Sequence, residues 1–396
     1  MAGADQHLLS FLVLVAGAAG IPLLAGRLRI PSPVLLVGFG LLVGPQVLGW
    51  LHVDEVTGFL GELGLIVLMF LAGMEIDFNG LAARGGRELL WLLAGCLGAF
   101  GLAGVACLAL ELDPIYGLAL GASSLGLPLA VLKEVGRLRS PLGQSVILLG
   151  SLGEFLTVLG LTLFSLGSRH GFSLELLWAL GKLLAVLAVA GAALRSLVAL
   201  AWWRPQLFAH LVKKEDGSEL GVRMTLVLMM AFSMLAWLAG VEAIVGAFVA
   251  GAVTAYVLRG KAVLEEKLSA VGHGLLVPVF FTMVGASFEP GLISPDSLLL
   301  ALELTGLALA VKLLPALVLL RGGLSLRESL AAGMLLAAPL TLVVAISAVA
   351  LELGAVDGAG RTSLVLLALA AGVVFPIGFH WLGAKDATAS GETRAS

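Results

Sequence analysis

The chain has 396 residues, of which 60% are apolar and only 12% are Asp, Glu, Lys or Arg, with a formal net charge of −3. A soluble domain carries about twice that fraction of charge, and the mean hydropathy here is +1.09. A soluble enzyme, a nucleic-acid binder, a disordered chain and a disulfide-built secreted domain are therefore excluded, and a polytopic membrane protein remains.

Thirteen mostly apolar stretches approach the roughly 20 residues that cross a bilayer. In chain order, segments 1–13 fall near 8–25, 33–50, 57–76, 89–110, 115–132, 142–167, 173–200, 221–240, 242–258, 271–287, 297–320, 328–351 and 362–384. They are too long for barrel strands and do not alternate, so the predicted fold class is an all-α polytopic membrane protein. Segment 1 has no basic region and no cleavage site before or after it, and is expected to be retained rather than removed as a signal peptide. Segment 2 carries Gly40-x-x-x-Gly44, a spacing that admits a second helix and is a sign of dimerisation. In segment 4, Cys96 and Cys107 lie eleven positions apart, too far along one helix to pair, and read as packing residues. Tryptophans 50, 91, 202, 203 and 381 sit near segment ends, as in an aromatic belt.

Charge fixes the expected orientation. The loops after odd-numbered segments share a side with the C-terminus and hold eighteen of the 23 basic residues; the other side has Arg169 and Arg361. By the positive-inside rule the N-terminus is outside and the C-terminus cytoplasmic, in the cell (inner) membrane. Lys182, Arg195 and Lys312 fall inside segments.

Segments 2–6 and 9–13 read as two copies. Gly64-Leu-Ile-Val-Leu-Met-Phe-Leu answers to Gly274-Leu-Leu-Val-Pro-Val-Phe-Phe, and Pro128 in segment 5 to Pro339 in segment 12, at offsets of 210 and 211. Copies seven spans apart insert in opposite directions. Inverted repeats of this kind build secondary transporters, whose site lies mid-membrane where matching helices are interrupted. Pro128 and Pro339 are the expected interruptions, since each removes a backbone donor; ordinary membrane kinks are the plainer alternative.

Two ionisable groups lie deep in spans, Glu154 in segment 6 and Lys312 in segment 11. Burying either costs on the order of 2.5–3.5 kcal/mol, so each calls for a charge partner or a wet cavity, and they are expected to partner each other. Gly150, Ser151 and Gly153 would leave room for water or an ion beside Glu154. Ser123, Ser124, Ser151, Thr157 and Thr341 supply hydroxyls near the breaks. Glu303, Lys182 and Arg195 are expected to snorkel, and Glu242 to lie in an external loop. There is no His-Glu-x-x-His pair, Gly-x-Ser-x-Gly elbow or phosphate-binding loop, so no catalytic residue, cofactor or resident metal is expected.

Val37-Gly-Phe-Gly-Leu-Leu-Val-Gly-Pro-Gln-Val-Leu-Gly, Leu68-Met-Phe-Leu-Ala-Gly-Met-Glu-Ile-Asp, Val245-Gly-Ala-Phe-Val-Ala-Gly, Leu264-Glu-Glu-Lys-Leu and Pro278-Val-Phe-Phe-Thr-Met-Val-Gly-Ala-Ser together resemble the cation/proton antiporter superfamily. The branch is that of Kef-type potassium efflux systems and bacterial sodium/proton exchangers. The resemblance implies an exchanger domain over 1–385, working as a homodimer in the lipid bilayer with no nucleic-acid partner. Dimer-type helices would span about 8–76 and 221–287, core helices about 89–167 and 297–384, and a linker helix about 173–200, with a short cytoplasmic tail at 386–396. It also implies that Glu154 binds cation or proton, with Lys312 as the family's basic residue. The family's acid is usually Asp after Gln, Asn or Asp, whereas this chain has Gly153-Glu154. Its Ser-Ser-Thr phrase reads Ser123-Ser124-Leu125, and the Gly-Gly-Glu-Phe of Kef-type proteins reads Ala338-Pro339-Leu340-Thr341.

The expected activity is exchange of Na+ or K+ for protons by alternating access. A carrier of small organic anions on the same fold, with Lys312 facing the substrate, and a transport-inactive component acting through partners stay open.

Overall fold

The computed structural model describes residues 2–28, 30–83, 85–171, 173–203, 219–257, 262–288, 291 and 293–383. The tail at 386–396 lies outside them, as do Arg29, Arg84, Arg204, Lys213, Lys214, Arg259, Lys261, Lys385 and Arg394 from the charge comparison. Among the described residues every regular element is helical. In order these are α1 (Ala2–Leu28), α2 (Ser32–Val43), α3 (Glu55–Met74), α4 (Phe78–Ala83), α5 (Gly86–Ala109), α6 (Pro114–Gly121), α7 (Gly126–Glu134), α8 (Pro141–His170) and α9 (Leu174–Trp203). Then come α10 (Leu220–Leu238), α11 (Ala243–Val257), α12 (Ala262–Val271), a π turn (Gly272–Leu276) and α13 (Val277–Ala286). The last are α14 (Pro295–Ala316), a 3-10 turn (Leu317–Gly322), α15 (Leu326–Leu336), α16 (Leu340–Glu352) and α17 (Gly358–Gly383).

The chain is a multi-pass membrane protein. Ten of its described helical stretches are long and apolar enough to cross a membrane, against thirteen expected. Segments 2 and 9 contribute shorter apolar helices, α2 and α11. Segment 2 stops early because α2 is capped at Gly44 and Pro45 cannot extend it. Helix starts are written in the loops. Asp54 with Thr57, Ser294 with Ser297 and Ser325 with Glu328 form capping boxes at α3, α14 and α15, each satisfying amides that the first turn leaves open.

Two compact units divide the chain. One comprises Met1–Ile76 and Thr162–Phe288, the other Asp77–Leu161 and Glu289–Ser396. In the first, α2 and α13 touch backbone to backbone: a Cβ on Gly40 would enter the Thr282 carbonyl, and one on Gly285 that of Val37. Gly40 and Gly44, read from sequence as a sign of dimerisation, thus pack against a helix of the same chain. Gly73 of α3 and Gly251 of α11 meet in the same manner. The π turn falls just before Pro278, where the missing N–H interrupts the ordinary ladder and one extra residue absorbs the mismatch. Glu242, expected in an external loop, lies in the turn just before α11 and accepts from Arg169 Nη2 at 2.6 Å and Ser165 Oγ at 2.8 Å. Lys182, Arg195 and Glu303 are exposed.

The second unit packs α5 and α7 around α8, α15 and α17, through Leu92, Leu132, Val146, Leu335 and Phe379. Here segments 5 and 12 are each split. Segment 5 becomes α6 and α7, separated by Ala122–Leu125; segment 12 becomes α15 and α16, separated by Ala337–Pro339.

Candidate functional site

The two breaks differ in how proline makes them. Pro339 sits in its gap, capping α16 with φ −81° and ψ 51°, as expected. Pro128 does not: it is the third residue of α7, and the chain opens upstream at Ala122, which is extended at φ −59° and ψ 142°. A proline is tolerated in a first turn, and its cost there is that the Ser124 carbonyl receives no N–H from residue 128. Two helix ends and their unsatisfied backbone groups are thereby placed inside the second unit.

Lys312 answers one of those ends. From the last turns of α14 its Nζ donates to the Gly121 carbonyl at 2.5 Å and to Ser123 Oγ at 2.8 Å. The ammonium lies 6.0 Å from the Phe100 ring centre. Gly121 is the last residue of α6, so a cation caps the negative end of a half-helix dipole. Lys312, expected to partner Glu154, is thus held by Gly121 and Ser123, and the adjoining Ser124 donates to the Glu154 carboxylate.

Glu154 answers the other end. It projects from α8, only 1% exposed, and its Oε1 accepts a long hydrogen bond of 3.4 Å from Ser124 Oγ. The same Ser124 Oγ lies 2.7 Å from Thr341 Oγ1. Ser124 precedes α7 by two residues and Thr341 is the second residue of α16, so this contact is where the two interrupted segments cross. The carboxylate stands beside half-helix N-termini, which favour negative charge.

Of the residues singled out from sequence, Glu154, Ser123, Ser124, Thr341 and Lys312 come together. Ser151 is buried one turn before Glu154 but is engaged elsewhere, accepting from the Asp77 N–H at 3.3 Å. Thr157 braces the break: its Oγ1 receives the Ser123 N–H at 3.2 Å and donates to the Gly153 carbonyl at 2.6 Å. The room expected beside Gly150 and Gly153 is taken by protein. A Cβ on Gly150 would enter the Leu125 side chain, and one on Gly153 would lie 2.7 Å from Ser123 Cβ. Sequence reasoning missed Phe100 and gave no role to Gly121 or to Asp77, although Asp77 closes the 68–77 stretch that carries the resemblance. The oxygens that converge, one carboxylate and the hydroxyls of Ser124 and Thr341, suit a hard cation, and the carboxylate also suits a proton.

Comparison with known proteins identifies the family and the fold. A family model described as "Sodium/hydrogen exchanger, transmembrane" matches residues 11–385. The chain is 27% identical over 408 residues to the putative Na+/H+ antiporter YjbQ of Bacillus subtilis, covering 97% of this chain and 64% of that one. It is 30% identical over 307 residues to an Na+/H+ antiporter of Enterococcus hirae, covering 76% and 78%. The chain thus spans just under two thirds of the length of the Bacillus relative. The solved structure of the sodium proton antiporter MjNhaP1 from Methanocaldococcus jannaschii shares the fold, with a TM-score of 0.63, 17% identity and coverage of 97% and 99%. On the match that runs nearly end to end, this chain belongs to the sodium/hydrogen exchanger family.

Proposed function

We propose that the chain exchanges a monovalent cation for protons across the cell membrane by alternating access, with Glu154 as the exchanging group. The observation that carries this reading is a buried carboxylate at the crossing of two interrupted helices, with two hydroxyls at hand. A charge at that depth is costly. A proton removes the charge and a cation matches it, and both need the same oxygens, so one displaces the other. One acid gives one-for-one exchange, electroneutral while Lys312 keeps its proton. Both named relatives point to sodium as the cation. The second unit, which holds the site, is the proposed transport core, and the first the proposed dimerisation unit of a homodimer. The distribution of basic residues supports an outside N-terminus and a cytoplasmic C-terminus. An organic-anion carrier is less well supported, because it needs Lys312 toward substrate and the ammonium is engaged by Gly121 and Ser123.

The test is purified protein in vesicles loaded with a pH-sensitive dye. Sodium pulses dequench the dye with wild type, and Glu154→Gln reduces that flux to the protein-free level. Glu154→Asp keeps the carboxylate and retains part of it. Undiminished flux from Glu154→Gln refutes the assignment.

A further inference from the structure

A cavity of about 670 Å³ opens in the second unit, away from Glu154, between the start of α5 and the 3-10 turn that follows α14. Its polar lining is Arg87, Glu88, Arg321 and the Ser145 hydroxyl, with Trp91 and Val318 among its apolar walls. Arg321 lies over Trp91, its guanidinium carbon 4.2 Å from the ring centre. A guanidinium placed over an aromatic ring carries donors in a fork that suits a phosphate oxygen pair. Two cations face one acid. Leu90 and Leu320, the neighbours of Trp91 and Arg321, are 66% and 43% exposed, so apolar surface fit for lipid chains adjoins the charged recess. Arginine, tryptophan and exposed leucine in that order describe a site at the membrane–water interface.

We propose that this cavity binds the phosphodiester headgroup of an acidic phospholipid, held by Arg87 and Arg321, with its acyl chains along Leu90 and Leu320. The occupied site joins α5 to the end of the helix that carries Lys312. Those two elements already pack closely: a Cβ on Gly95 would lie 2.9 Å from Val318 Cγ1. Binding therefore stabilises the second unit whether or not Glu154 exchanges ions.

The experiment uses the full chain, stripped of lipid and returned to nanodiscs of phosphatidylcholine alone or with a minority of phosphatidylglycerol. Lipid retained through mild detergent is measured by native mass spectrometry, and the melting temperature is read alongside. Wild type is expected to retain phosphatidylglycerol over phosphatidylcholine and to melt higher with it. Arg321→Ala is expected to weaken retention about fivefold, and Arg87→Ala with Arg321→Ala about 25-fold, from the contribution of each basic group near a charged headgroup. Glu88→Gln, which removes the opposing acid, is expected to strengthen it and serves if the double variant fails to fold. Equal retention by wild type and the arginine variants overturns the proposal. So does unchanged or weaker retention by Glu88→Gln, or inorganic phosphate alone raising the melting temperature as much as the lipid does. Because retention is read directly, its failure is distinct from any failure of ion exchange.

Discussion

Gly153 offers the sharpest test of the site's geometry. It stands at the position where, by resemblance, relatives carry Gln, Asn or Asp before the acid. Here a Cβ would lie 2.7 Å from Ser123 Cβ and 2.8 Å from Ser123 Oγ. Ser123 cannot easily yield, since its hydroxyl accepts from Lys312 at 2.8 Å and its N–H is held by Thr157 at 3.2 Å. Overpacking costs about 1–3 kcal/mol, and a hydrogen bond from a charged donor is worth about 1.5–3 kcal/mol. These describe one displacement seen from two sides, so they do not add. We expect Gly153→Ala to lose about 2 kcal/mol, which for a chain of this length lowers the melting temperature by about 2–3 °C. Gly153→Asn should lose more. Displacing Ser123 drags Ser124 from Glu154 and Thr341, and a misplacement near 1 Å can lower a rate by about 100-fold. The assays are thermal melting in detergent and sodium-driven proton flux in vesicles. Ser123→Gly removes the obstruction, so the stability penalty of Gly153→Ala should largely vanish in that background. Wild-type melting and flux for Gly153→Asn, or strict additivity with Ser123→Gly, would refute the reasoning.

Other outcomes follow from single contacts. Ser124→Ala and Thr341→Val each remove the 2.7 Å bond at the crossing. Each should cost about 1 kcal/mol and raise the sodium concentration for half-maximal flux, and the double variant should cost little more than either single one in melting experiments. At the start of α3, the Thr57 backbone N–H and hydroxyl hold the Asp54 carboxyl below the usual carboxylate range. A depressed pKa in the folded state means that the cap's stabilisation is present above the unfolded value and fades as pH falls through the folded one. Hydrogen-exchange protection factors in the first turn of α3 should therefore fall below about pH 4. Asp54→Asn should abolish that pH dependence, and its persistence there would sink the attribution.

How much was legible in the sequence depended on whether a feature is local. Long apolar runs are read within one window, and most become spanning helices. Segment 2 was overdrawn because apolar residues continue past the Gly44-Pro45 stop, where hydropathy does not change but backbone geometry does. Segment 9, drawn at 242–258, matches α11 but is short for a span. The break in segment 12 was legible because Pro339 makes it. In segment 5 the same rule pointed six residues past Ala122: the opening there is held by Lys312 and Thr157, which lie 189 and 34 positions from Ser123. Glu154 and Lys312 stood out as charges in apolar runs, but their surroundings did not. Gly153 looked like space, and only the fold puts Ser123 into it.

The same geometry decides whether the two buried charges depend on each other. Were Lys312 neutralised mainly by Glu154, removing the carboxylate's charge would strand an ammonium in the protein interior at about 3–5 kcal/mol. Lys312 has two hydrogen bonds of its own, to Gly121 and Ser123, each worth about 1.5–3 kcal/mol. It also caps a half-helix, which adds about 0.3–2 kcal/mol. Together these match or exceed the roughly 3 kcal/mol of placing it mid-span. Glu154→Gln should then melt within about 2 °C of wild type while losing exchange. Lys312→Met, which leaves the Gly121 carbonyl and Ser123 hydroxyl without their donor, should be the less stable of the two. The reverse order of melting temperatures would mean that the acid and the base stabilise each other directly. Proton or cation arrival at Glu154 would then disturb the broken helix that Lys312 holds, rather than leaving it fixed while the passenger changes.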